Sequence, residues 1–176
     1  MIITFHEGSF KIQTSGVVLF TESLHGKTSA RHKADVYIKI TDTESDIGAT
    51  HTIKGPGEYE IQGVQVRGFP PYTYTIRAEK MKLSFISNDE LSEETIDSDT
   101  MEQLMDADIL FAPATPKSAQ VIRQMQPRSV IITSGEANIL EKELGLTAEK
   151  SDKYTVKKKD LSDLGQGRLR LIVLSA

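Results

Sequence analysis

The sequence has no cysteine and no tryptophan. Without cysteine there is no disulfide framework, no thiolate zinc site and no cysteine nucleophile. It also lacks any run of about 20 apolar residues, the length a membrane-spanning helix requires. Its start, Met1-Ile2-Ile3-Thr4-Phe5, shows no basic segment leading into an apolar one, so no secretory leader is read and the expected location is cytoplasmic, with no membrane partner. Histidine is scarce: His6, His25, His32 and His51 are the full set, and none follows residue 51. Lysine and arginine are missing between Leu83 and Pro116. Neither a Gly-x-Ser-x-Gly nucleophile turn nor a Gly-x-x-x-x-Gly-Lys-Ser/Thr phosphate loop occurs.

What remains is an ordinary globular composition. The chain has 176 residues, 38% hydrophobic and 26% charged, with a formal net charge of −4. That length suits one domain over residues 1–176, large enough to bury a substantial core. A mildly acidic balance lacks the electrostatic footprint of a nucleic-acid binder, so no nucleic-acid partner is expected.

The first half reads as β. Ile2–Phe5, Phe10–Gln13 and Val17–Thr21 are short β-prone runs separated by turns at Glu7-Gly8 and Ser15-Gly16. Val36–Ile40 is a further strand, and Gly55-Pro56-Gly57 is a strong turn signal. Gln62-Gly63 between Glu58–Ile61 and Val64–Gly68 predicts a two-residue hairpin. Thr73–Ala78 and Lys82–Ile86 form the next pair. The period then changes. Met101, Leu104 and Met105 recur at helical spacing after Asp99, which is expected to cap that helix with Glu102 three residues on. Thr115-Pro116 is a helix start, since proline at the first helical position gives up no needed N–H. That helix is expected to run to Pro127, and a third over Ala137–Leu144 closes on Gly145. Ile109–Ala112, Val130–Thr133, Lys153–Lys158 and Arg168–Leu174 complete the strands. Pattern alone gives an α/β or α+β domain of layered sheets with helices outside.

Several segments resemble the small hydrolases of the metallo-β-lactamase fold superfamily, in particular the subgroup of ascorbate-phosphate lactonase-like proteins and short zinc-dependent hydrolases. They are the opening Ile2-Ile3-Thr4-Phe5-His6-Glu7-Gly8-Ser9-Phe10-Lys11-Ile12-Gln13, the Ala34-Asp35-Val36 strand entry, Gly55-Pro56-Gly57-Glu58-Tyr59-Glu60-Ile61-Gln62-Gly63-Val64, Asp106–Pro113 and Gln126–Ile132. The resemblance implies a four-layer αββα sandwich. It also implies a divalent metal, held by His and Asp, that brings the pKa of bound water toward neutrality.

The places where the resemblance puts those ligands are degenerate. The family's His-x-His-x-Asp-His falls on Thr41, Thr43, Ser45 and Asp46; hydroxyls are poor zinc ligands at neutral pH, and Asp46 stands where a histidine belongs. The next histidine falls in Gly68-Phe69-Pro70-Pro71, the bridging aspartate on Asn88, and the last histidine at Ser134-Gly135. The sequence is therefore read as a non-catalytic, metal-free member of that fold that acts by binding or assembly, on an unknown protein partner or as a homo-oligomer. A rebuilt zinc site drawn from Asp42, Glu44, Asp46 and His51, serving hydrolysis of a phosphate or lactone, is the alternative.

Other features have bland readings beside the sharp ones. The histidines lack paired spacing and read as surface residues. Asp42, Glu44 and Asp46 alternate as in a calcium loop, but Ile47 and Ile53 occupy the places that need Gly and Glu. Nine carboxylates between Asp89 and Asp108 are a solvated face or a dock for a basic partner. Lys153, Lys157, Lys158 and Lys159 protect a strand edge or meet phosphate. Phe69-Pro70-Pro71-Tyr72 and Tyr74 form an apolar rim near the family's site, either packed or available for contact.

Overall fold

A computed structural model describes residues 1–22, 33–40, 48–70, 72–86, 96–163 and 169–175. The strands, in chain order, are β1 (Ile2–His6), β2 (Ser9–Gln13), β3 (Val18–Thr21), β4 (Val36–Lys39), β5 (His51–Lys54), β6 (Gly57–Ile61), β7 (Val64–Phe69), β8 (Thr73–Ala78), β9 (Met81–Phe85), β10 (Ile109–Ala112), β11 (Ser129–Ile132), β12 (Ala148–Ser151), β13 (Lys153–Thr155) and β14 (Arg170–Leu174). The helices are α1 (Ser98–Leu104), α2 (Pro116–Met125), α3 (Ala137–Leu144) and α4 (Lys158–Asp163). One sheet has the order β13-β1-β2-β3-β4-β5, the other β12-β14-β11-β10-β9-β8-β7-β6.

Local chemistry sets the turns. Gln62 and Gly63, with φ of 49° and 80°, join Ile61 to its partner Val64. Both central residues are left-handed, which matches the twist of a tight hairpin. Glu79 and Lys80 do the same for Ala78 and Met81 at φ of 52° and 63°, without a glycine. Along β7 the burial alternates, Val64 and Val66 inward and Gln65 and Arg67 outward. Strands β9, β10, β11 and β14 run parallel. Accordingly Ile109–Ala112 is buried on both faces, as parallel strands under helices are.

The main core lies between the sheets. Phe10 of the first packs its ring edge on Phe111 of the second at 5.2 Å, and Phe85 stacks on Phe111 at 5.5 Å. Phe5 adds a contact to Phe10 at 4.9 Å. A second core forms where Leu104, Ala119, Ile122 and Leu140 of α1–α3 cover Leu110, Val130, Ile132 and Leu171. On the outer face of the first sheet Phe20 and Tyr37 are buried with Val18, Ala34 and Ala49; no described residue of the four helices joins that cluster. The architecture is a mixed α/β sandwich of two sheets, as the sequence led one to expect.

Three expectations need correction. Helix α1 starts two residues early, because Asp97 rather than Asp99 accepts from the Thr100 N–H, at 2.9 Å, and so caps it. The strand drawn over Lys153–Lys158 ends at Thr155, and Lys158 opens α4, whose Leu161 enters the inter-sheet core. Two strands went unread, β5 and β12; both are sheet edges with exposed, charged residues and little hydrophobic alternation.

Candidate functional site at one end of the sandwich

Strand polarity gathers one set of loops. The parallel strands β3, β4 and β5 end at Thr21-Glu22, Lys39-Ile40 and Lys54-Gly55. On the other sheet β9, β10, β11 and β14 end at Phe85-Ile86, Ala112-Pro113, Ile132-Thr133 and Leu174-Ser175. The antiparallel pairs Gly68↔Tyr74 and Tyr74↔Phe85 bring the end of β7 and the start of β8 to the same place. The segments in which the resemblance puts metal ligands thus leave from, or lie beside, one end of the sandwich.

That end is tied by polar bonds across the sheets. The buried Tyr74 hydroxyl, on the second sheet, donates to Lys39 O of the first at 2.6 Å and accepts from the Gly55 N–H at 3.1 Å. Burial pushes its pKa up to about 12, against the lowering effect of the Gly55 N–H. The Glu22 carboxylate, fully buried, accepts from the Ile40 N–H at 3.1 Å. Gly68 approaches Gly55 so closely that a Cβ on Gly68 would lie 2.2 Å from the Gly55 carbonyl oxygen. Only glycine fits there.

Of the positions singled out from sequence, Thr41, Asp42, Thr43, Glu44, Ser45, Asp46 and Asn88 lie outside the described residues, as do His25 and His32. Gly135 lies inside them. Its φ is 80°, and a Cβ would meet Ala114 O at 3.0 Å, so the backbone there leaves no ready room for an imidazole. His51 opens β5 opposite Val36 and is exposed. It therefore stands at the far end of the strand, roughly 13 Å of strand rise below Ile40. His6 pairs with Ser9 and its Nε2 lies 3.0 Å from Thr4 Oγ1. Phe69 and Tyr74 are buried, so this part of the apolar rim is packed core.

Among the described residues, the donors at this end do not fit a zinc centre. Among the described residues Glu22 supplies a carboxylate there, and it is already bonded to backbone. The Thr133 hydroxyl is buried without a hydrogen-bond partner among the described residues, and it continues the inward row of Ile131. A neutral hydroxyl does not replace an imidazole on zinc. No group of three or more His, Cys, Asp or Glu gathers anywhere among the described residues.

Sequence reasoning missed the roles of Glu22, Thr133 and Lys82. Lys82 is buried on the outer face of the second sheet, where its ammonium donates to Met105 O at 2.5 Å. Ser84, next on that face, donates to Leu104 O at 3.1 Å. Together they satisfy carbonyls at the C-terminal end of α1. Burial, then the neighbouring Arg77, lowers the Lys82 pKa, while Asp106 and Asp108 oppose the change. Alternation along β9 was a usable signal, since Lys82 and Ser84 are its polar residues. Nothing in sequence announced that a helix end would land on them.

Comparison with solved structures fits this architecture. The chain aligns over 98% of its length, and 97% of the other, with a protein from Thermotoga maritima described as a Zn-dependent hydrolase of the metallo-β-lactamase superfamily, at TM-score 0.78 and 15% identity. A protein described as a metal-dependent hydrolase from Parabacteroides distasonis matches at TM-score 0.58 and 14% identity, over 98% of this chain and 93% of that one. A metallo hydrolase from the archaeon Ignicoccus hospitalis matches at 0.58 and 10% identity, over 100% and 97%. No family model and no curated protein matches the sequence. At such identities the shared property is the fold: this chain has the metallo-β-lactamase fold, found in metal-dependent hydrolases.

Proposed function

We propose that this protein uses the metallo-β-lactamase fold for binding or assembly, with a protein partner or a second copy of itself, and not for metal-dependent hydrolysis. One observation carries the reading. The segments that would present imidazoles to a metal carry none, because residues 41–46 include no histidine and none follows His51 in the sequence, and the Gly135 backbone is packed against Ala114. The end of the sandwich is held instead by a phenol, a carboxylate and a glycine contact. Protein purified without chelator is expected to contain far less than one zinc per chain by elemental analysis, and EDTA is expected to leave its thermal midpoint unchanged. Near-stoichiometric zinc, iron or manganese would overturn the reading.

The second reading, a metal-dependent hydrolase of a phosphate or lactone with ligands from Asp42, Glu44, Asp46 and His51, is favoured by the hydrolase descriptions of the structural neighbours. The exposed position of His51 at the far end of β5 weighs against it. Hydrolysis that vanishes both with EDTA and in His51→Ala would establish it; activity indifferent to both would remove it.

A further inference from the structure

The outer face of the second sheet carries a transverse row of polar residues beside α1. Gln65 of β7 is in register with Arg77 of β8, and Arg77 with Lys82 of β9. All point away from the inter-sheet core, since Val64, Val66, Ile76, Met81 and Leu83 point into it. Arg77 and Lys82 are therefore two cations side by side on neighbouring strands. Like charges placed directly opposite are destabilising, and burial of Lys82 sharpens the repulsion.

Asp106, which acts on Lys82, and Glu60, in register with Gln65, border the clefts, while the other nearby carboxylates are engaged elsewhere. Asp108 is held by Lys158 at 2.8 Å, and Glu79 by the Met1 amino group at 2.8 Å. Glu58 sits 3.4 Å from Arg67, which also donates to Gln103 at 3.0 Å and lies over the Phe69 ring. Arg77, in contrast, makes no hydrogen bond or ion pair among the described residues, and neither does the Gln65 side chain. Two clefts of about 390 and 470 Å³ meet at the row, and both are lined by Gln65, Arg77 and Lys82.

We infer that the Gln65–Arg77–Lys82 row is a binding site for a phosphate or phosphate monoester. The free guanidinium offers a planar fork of donors, Gln65 an amide N–H, and Lys82 the ammonium protons left after its bond to Met105 O. A doubly charged tetrahedral oxyanion matches two cations and several converging donors; a single carboxylate leaves one cation unbalanced. The row lies outside the sandwich, away from the strand ends discussed above, and stands or falls independently of them.

Titration calorimetry and ³¹P NMR with inorganic phosphate and with glycerol phosphate, at ionic strength held constant with sodium chloride, test the site. Saturable binding is expected in the native protein, weakened at least tenfold in Arg77→Gln. Arg67→Gln, on the same face but with its guanidinium already engaged, is expected to bind nearly as the native protein does. Arg77 is exposed, so its substitution leaves the fold intact and avoids disturbing the bond from Lys82 to α1. Absence of saturable binding, equal binding in Arg77→Gln, or acetate binding as tightly as phosphate would each overturn the assignment.

Discussion

Tyr74 shows how one side chain secures a junction. Its hydroxyl spans from the second sheet to the Lys39 carbonyl and takes the Gly55 N–H, so two backbone groups of the first sheet's end depend on it. Replacing it with Phe leaves both without that partner in a buried place, a cost of about 1–3 kcal/mol. The pH dependence follows from its pKa, raised from 10.0 to about 12. A group whose folded pKa is raised contributes stability that is full below the unfolded pKa and disappears as pH climbs through the folded one. Between pH 10 and 12 the unfolded chain holds fewer protons at this site than the native protein, so stability falls. Urea midpoints measured across that window are expected to decline less steeply in Tyr74→Phe than in the native protein. Parallel declines would mean that Tyr74 does not carry the effect.

At the scale of elements, helix ends separate what sequence can state from what it cannot. Thr115 accepts from the Ser118 N–H at 3.0 Å, and Pro116 follows in the first helical position. Both signals are local, and the start of α2 was readable without any fold. Thr115→Ala is expected to lower stability by about 0.5–2 kcal/mol, seen as a lower denaturation midpoint with unchanged slope. Thr115→Ser keeps the acceptor and is expected to restore most of the loss. For α1 the local signal favours Asp99, with Glu102 three residues on, yet Asp97 caps the helix; the burial of Thr100, Met101 and Leu104 decides which register the helix takes. The lysines of 157–159 show the same limit. Their composition suits a guarded strand edge, yet Leu161 seeks the core and draws the segment into a helix, while Lys158 pairs with Asp108.

For the whole molecule, the inter-sheet aromatic group makes the two sheets one folding unit. Phe10 alone touches Phe5 in its own sheet and both Phe85 and Phe111 across the interface. Its truncation to alanine in a close-packed interior is expected to cost about 3–5 kcal/mol. Loss of secondary structure and of tertiary packing should remain coincident, since neither sheet buries its inner face without the other. Tyrosine fluorescence and far-ultraviolet circular dichroism, followed together in urea, check this. Two separated transitions would show that the sheets unfold independently. No helix among the described residues is long and apolar enough to cross a membrane.

The sequence by itself determined the local grammar: the Gln62-Gly63 hairpin, the Thr115-Pro116 start, the Gly145 stop, and the absence of any histidine after residue 51. Each depends on neighbouring residues or on composition, which folding does not change. Tertiary structure alone decided that Tyr74 would reach Lys39, that Gly68 would lie against Gly55, and that Lys82 would receive the end of α1. Those contacts join residues distant along the chain, and no pattern short of the packed sheets specifies which backbone groups need a partner.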